Sequence, residues 1–267
     1  MKEEALFIAK GSKNINDKIN KLREYVQAFI LRSFHESEAF TCLSFVGGTA
    51  LRFLYGLPRF SEDLDFSLDS KTNYILKDWV AKLERDLKFA KFNASLVVSE
   101  KKTIHAVWVK IYDLLNEVGI SAHPGQKISI KIKIDTNPPA GAHAETEVVN
   151  KYFLLAIRHY DLPSLMAGKI HALCTRNYLK GRNFYDLFWY QSRRPQIEPN
   201  LKLLQSAIDQ TESTPWVATH WKKHILENLE QVNWKQLLAD VTPFLEREED
   251  KKLLTLEFFK KSLQNKL

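Results

Sequence analysis

FVGGTALRFLYGLPRFSEDLDFSLD, residues 45–69, changes its period twice. It opens as the end of an apolar strand expected over 42–46 and breaks at Gly47-Gly48-Thr49. It resumes as a short helix over 49–55, then stops at Gly56 and Pro58, residue types that end helices because one tolerates a left-handed backbone and the other cannot continue the ladder. From Ser61 to Asp69 the pattern alternates. Leu64, Phe66 and Leu68 fall on one side, and Asp63, Asp65, Ser67 and Asp69 on the other, which predicts a half-buried strand with an acidic face. Asp63 and Asp65 thus present two carboxylates to the same side. Hard oxygen ligands at this spacing suit Mg²⁺, which keeps several waters and completes its shell with phosphates. Acidic residues on a strand face are commonly just solvated. The upstream glycines change that reading, because a Gly-Gly-Thr between strand and helix lets backbone N–H groups cradle a phosphate at the positive end of the helix.

Working outward, a helix is expected over 17–34 with Ile19, Leu22, Val26, Phe29 and Ile30 as its apolar stripe. A helix over 74–89 and strands over 94–98, 106–112 and 127–135 follow the acidic strand. In the last of these, Ile128, Ile130, Ile132 and Ile134 face one way and Ser129, Lys131, Lys133 and Asp135 the other. Asp135 brought beside the first two carboxylates would allow a two-ion site, one ion activating the attacking oxygen and the other clamping a triphosphate. Thr136-Asn137-Pro138-Pro139-Ala140-Gly141 is the strongest loop signal. Beyond it the pattern turns mostly helical, with helices expected over 163–178, 183–192, 201–210, 215–230 and from 234 onward. The expectation is an α+β protein in which an N-terminal mixed-sheet lobe, 1–140, is followed by a mostly helical lobe, 141–267, that completes an active site in a cleft.

Composition bounds the partners. The 267 residues, 31.0 kDa, are 45% hydrophobic, enough for a substantial core. A formal charge of +7 and a pI near 9.2 favour polyanionic partners. Apolar runs such as 153–157 and 106–109 fall far short of the ~20 residues of a membrane span. The N-terminus lacks a secretory apolar segment, so a cytoplasmic protein with no membrane contact is expected. Cys42 and Cys174 lie in apolar surroundings without C-x-x-C spacing and read as buried free thiols. His123, His143, His159 and His171 show no ligand spacing. Trp216, Trp221 and Trp234 read as core residues rather than base-stacking platforms.

A glycine turn followed by an acidic strand is the hG[GS]…DhDh pattern of the polymerase-β-like nucleotidyltransferase superfamily. The full 45–69 string resembles the AbiEii/AbiGii-type toxin family, whose members include the MenT nucleotidyltransferase toxins, and the resemblance runs from about Leu43 to the C-terminal helices. It implies nucleotide binding at Gly47, Gly48 and Thr49, with Arg59 and Ser61 at the arginine and small-hydroxyl positions upstream of the metal carboxylates Asp63 and Asp65. In LPSLMAGKIHALCTRN it implies a nucleotide-phosphate contact at Lys169, and in KGRNFYDLFWY an active-site support at Asp186. Lys169 lies among Leu165, Met166, Ile170 and Leu173, an awkward place for a charge unless it reaches out of the core. Arg182, four residues before Asp186, is a local alternative partner for it. The family commonly shows R-D-x-Y-D where this chain has Arg182-Asn183-Phe184-Tyr185-Asp186, so one charge is missing.

The resemblance further implies an NTP substrate, two Mg²⁺ ions, transfer of NMP with release of pyrophosphate, a tRNA 3′ end as acceptor with translation blocked, and a cognate antitoxin. Arg176, Lys180, Arg182, Arg193 and Arg194 are then candidate contacts to acceptor-stem phosphates. Two other readings stand beside it. The acceptor is a protein side chain or a small molecule, or the fold is degenerate and serves only to bind.

Overall fold

The computed structural model describes residues 1–176, 180–212 and 216–264. Its helices are α1 (Lys2–Lys10), α2 (Ile15–Glu36), α3 (Gly47–Tyr55), α4 (Leu76–Phe89), α5 (Leu114–Glu117), α6 (Leu162–Thr175), α7 (Gly181–Ser192), α8 (Leu201–Thr211), α9 (Trp221–Asn228), α10 (Trp234–Val241) and α11 (Leu256–Leu263). Its strands are β1 (Leu43–Val46), β2 (Leu64–Leu68), β3 (Ala94–Ser99), β4 (Ile104–Ile111), β5 (Ile128–Asp135), β6 (Ala144–Asn150) and β7 (Leu154–Tyr160). The expected helix ends at Tyr178 and Pro215 lie outside the described residues. Two compact units form. One holds Met1–Gly56, Phe60–Pro138 and Glu145–His159, the other Leu57–Arg59, Pro139–Ala144 and Tyr160–Leu267.

The first unit is built on a seven-stranded mixed sheet in the order β3-β4-β5-β2-β1-β7-β6. The pairs β3/β4, β4/β5 and β1/β2 are antiparallel, and β2/β5 and β1/β7 are parallel. Alternation decides which face is covered: Ile130, Ile132 and Ile134 of β5 are each 0% exposed, as is Leu64 of β2. Phe34 of α2 stacks on Phe66 of β2 at 5.6 Å between ring centroids and meets Trp79 of α4 at 5.9 Å. Each such buried side chain contributes about 1.5–3 kcal/mol, so this aromatic cluster is a main reason why the β2 register is fixed.

Helix α2 starts at Asn14, whose side chain accepts from the Asp17 N–H. Of its expected stripe Leu22, Val26, Phe29 and Ile30 are buried and Ile19 is half-buried, but Tyr25, Ala28, Leu31 and Phe34 are buried as well. The extra burial has several sources: α1 packs on α2, Tyr25 meets the Tyr152 and Phe153 rings edge-on, and Phe34 meets Phe66 and Trp79. Helix α1 was not anticipated, being short and without a capping side chain.

The chain also does not turn helical directly after the Pro-Pro loop. Strands β6 and β7 come first, and β7 returns parallel to β1 with Phe45 opposite His159. Strand β6 forms the sheet edge and buries only Val149, so its sequence carries almost no alternation to read.

The second unit is mostly helical. Helix α6 begins at Asp161, whose carboxylate accepts from the Ser164 N–H at 2.9 Å, with proline in the first turn. It packs on α7 and α8, and α7 packs on α10 and α11. At the α7/α10 contact a Cβ on Gly181 would stand 2.3 Å from the Leu237 carbonyl oxygen, so only glycine fits. Among the described residues no helix is long and apolar enough to cross a membrane.

Candidate active site

Strand β2 lies between β1 and β5, and its pairings set what flanks Asp65: Val46 on β1 and Lys133 on β5. The side chains of Asp63 and Asp65 are 30% and 35% exposed. They present oxygen to one cation from within the protein, because the Lys133 ammonium donates to Asp63 Oδ2 and stands 3.3 Å from Asp65 Oδ1. Burial works against the Lys133 charge, but the attraction of Asp65 and then Asp63 outweighs it and holds the lysine above its ordinary pKa.

Gly47 and Gly48 open α3 directly against this pair. Gly47 has φ +83°, a left-handed conformation that strains any residue with a Cβ. A Cβ there would also lie 2.7 Å from Asp65 Oδ2 and 3.3 Å from its Cγ. The glycine is therefore required twice, by its own backbone and by the carboxylate it touches. Thr49, 1% exposed, donates its hydroxyl to the Asp63 carbonyl and so ties the first turn of α3 to the entry of β2.

Helix α2 supports the same segment from below. The Gln27 amide donates to the carbonyls of Ser61 at 3.1 Å and Glu62 at 2.9 Å. One turn earlier, Glu24 accepts from Arg52 of α3 and from the Tyr152 hydroxyl at 2.8 Å, with the Lys151 ammonium at 3.3 Å. The Arg52 guanidinium lies over the Phe60 ring at 4.0 Å. Glu24, Gln27, Arg52 and Lys133 were not singled out from sequence. For the first two, the only signal was polar residues i, i+3 apart beside the apolar stripe of an amphipathic helix.

Asp135 is one pleat along β5 from Lys133 and pairs in register with Ser67 rather than with Asp65. Its Oδ1 accepts from the Asn137 N–H at 3.0 Å, and burial raises its pKa despite that hydrogen bond. Among the described residues no group of three or more His, Cys, Asp or Glu side chains is arranged to hold a metal ion. The donor set of Asp63 and Asp65 nonetheless fits a divalent cation. It consists of hard oxygens from Asp65 on β2 and from Asp63 just before it, and their shared position already attracts the lysine ammonium.

The second unit gathers Arg59, Lys169 and Asp186. Asp186 of α7 is 0% exposed. Arg59 grips it with two parallel hydrogen bonds, Nε to Oδ1 and Nη2 to Oδ2, each 2.6 Å, and the Lys169 ammonium of α6 stands 2.7 Å from Oδ2. Burial pushes the Asp186 pKa up, but Arg59 and then Lys169 outweigh it and hold the carboxylate below its ordinary range. The Arg182 guanidinium, the local alternative, lies over the Phe244 ring at 4.1 Å. Arg59 is also held by its backbone, which bridges to Leu245.

The sequence profile of the nucleotidyl transferase AbiEii toxin, Type IV TA system, matches residues 29–260. That span includes the glycine turn, the carboxylate strand and the Arg59–Asp186–Lys169 cluster. The chain belongs to the AbiEii family. It is therefore a nucleotidyltransferase of a toxin–antitoxin family.

Among solved structures, a candidate nucleotidyltransferase from H. pylori is similar in fold, with TM-score 0.54 and 18% identity over 90% of this chain and 96% of that one. JHP933 from Helicobacter pylori matches at TM-score 0.49 and 17% identity over 91% and 94% of the two chains, a level that carries no argument. A comparison with curated proteins finds no match.

Proposed function

We propose that this AbiEii member transfers NMP from an NTP to the 3′ end of tRNA and so blocks translation, with Asp63 and Asp65 as the carboxylates that hold Mg²⁺. The observation that supports the metal and nucleotide part of the reading is the close approach of Gly47 to Asp65, a glycine turn suited to phosphate beside a carboxylate suited to Mg²⁺; the tRNA acceptor rests on the family resemblance. In the reaction an acceptor hydroxyl loses its proton to solvent, its oxygen bonds to the α-phosphorus, the α–β phosphoanhydride bond breaks, and pyrophosphate leaves with the electron pair. Magnesium bound there would neutralise phosphate charge and favour the hydroxyl as an alkoxide.

The protein's part is positioning. Gly47 and Gly48 leave room for the phosphates at the start of α3. Thr49 and Gln27 hold the backbone that carries Asp63. Asp135 is assigned as a third carboxylate of the site, Lys169 a nucleotide-phosphate contact, Asp186 its support, and Arg59 and Ser61 nucleotide-side roles. The net charge of +7 suits a polyanionic acceptor.

The test is incubation of the protein with Mg²⁺, each α-labelled NTP in turn and total tRNA. Label in tRNA is expected, with incorporation falling steeply as salt rises. Label in protein or in a small molecule instead would replace the acceptor. Label nowhere, with no binding of NTP, would favour a degenerate fold that only binds.

A further inference from the structure

We infer that Lys133 is an internal counter-cation that holds the metal position between Asp63 and Asp65, and that its ammonium passes to the triphosphate when metal and nucleotide enter together. The inference rests on the proposed metal role of those two carboxylates.

The placement is specific to this lysine. Its backbone is fixed in the interior of the sheet, opposite Asp65 on one side and opposite Ala106 of β4 on the other. Ala106 has no polar group to offer, so the ammonium turns to the carboxylates. Lys131, two residues earlier on the same face of β5, turns elsewhere: its ammonium lies over the Trp108 ring at 4.6 Å.

An ammonium that contacts both Asp63 and Asp65 competes with a divalent ion for them, since it occupies one oxygen of each and two cations this close repel. Metal entry therefore displaces the Lys133 side chain. Its four-carbon stem is flexible while its backbone is not, so it stays beside the site where the phosphates of a metal-bound nucleotide lie. Metal alone competes with the lysine. Nucleotide gives the displaced ammonium a new anionic partner, so the two ligands bind with positive coupling, and by linkage each tightens the other.

Mn²⁺ is the probe, its free fraction read by electron paramagnetic resonance, alone and with each α,β-methylene NTP in turn. Lys133→Gln is expected to bind Mn²⁺ without nucleotide at least about fivefold more tightly than the wild type, and to lose most of the nucleotide-induced gain that the wild type shows. Equal or weaker Mn²⁺ binding by the variant, or an unchanged gain, would overturn the inference while leaving the metal role of the carboxylates intact. No Mn²⁺ binding by either protein under any condition would overturn both.

A measurement on the wild type stands whether or not the variant folds. Acylation of amines, read by mass spectrometry, should spare Lys133 without metal and modify it at saturating Mn²⁺. Labelling that ignores Mn²⁺ would contradict the exchange.

Discussion

Gly47 and Asp65 pack so closely that a Cβ on residue 47 would stand 2.7 Å from the Asp65 carboxylate oxygen Oδ2. This contact makes the glycine a part of the carboxylate site rather than only a turn. Gly47→Ala should displace Asp65 and strain the backbone at φ +83°, costing about 1–2 kcal/mol from the left-handed conformation alone. Thermal melting should show that loss. Nucleotidyl transfer should fall by at least about tenfold, the effect of ~1.4 kcal/mol at the transition state. An alanine variant with wild-type transfer would show that the contact is incidental.

Gln27 makes a second, quieter prediction. Its amide is shared between the Ser61 and Glu62 carbonyls, immediately before Asp63. Gln27→Ala removes both hydrogen bonds and should cost about 1–3 kcal/mol in urea unfolding. If the amide also positions Asp63, kcat should fall while the KM for NTP changes little.

Asp186 is buried with two cations on it, so Asp186→Asn should be severely destabilising, by about 3–5 kcal/mol. The pH dependence follows from the direction of its shift. Its folded pKa lies below the unfolded value of about 3.9. The carboxylate therefore contributes its full stability above that value and loses it as pH falls through the lower, folded pKa. Urea melts from neutral pH down to about pH 3 should show the wild-type advantage over Asp186→Asn shrinking in acid. A constant difference would mean that the charge is not what holds the cluster.

How much of this was legible depended on whether the relevant physics is local. Asp65 was readable because a period of two needs only neighbours, although the strand is shorter than the expected 61–69: β2 is Leu64–Leu68, Asp63 and Asp69 flank it, and Ser67 is buried. Gly47 was readable as a residue type, though not as a contact. Lys133 could be placed on the polar face of its strand, but which residue it opposes is set by the β2/β5 register, a long-range choice made by buried Phe66, Ile132 and Ile134. Asp186 offered Arg182 as a local partner, whereas Arg59, 127 positions away in sequence, grips it instead. Strand β6 was illegible for the opposite reason. As an edge it buries so little that no pattern is imposed on it. The AbiEii resemblance supplied the roles expected of Lys169 and Asp186, which spacing alone does not encode.

The most direct test of the account compares α-labelled NTP transfer by the wild type with that by Asp63→Asn and Asp65→Asn at saturating Mg²⁺, with circular dichroism on each to establish that it folds. The account predicts transfer by the wild type and a loss of at least about 1,000-fold in each folded variant, a deficit of ~4 kcal/mol at the transition state. Transfer at near wild-type rates by either folded variant would contradict the assignment of these two carboxylates as the centre of the chemistry.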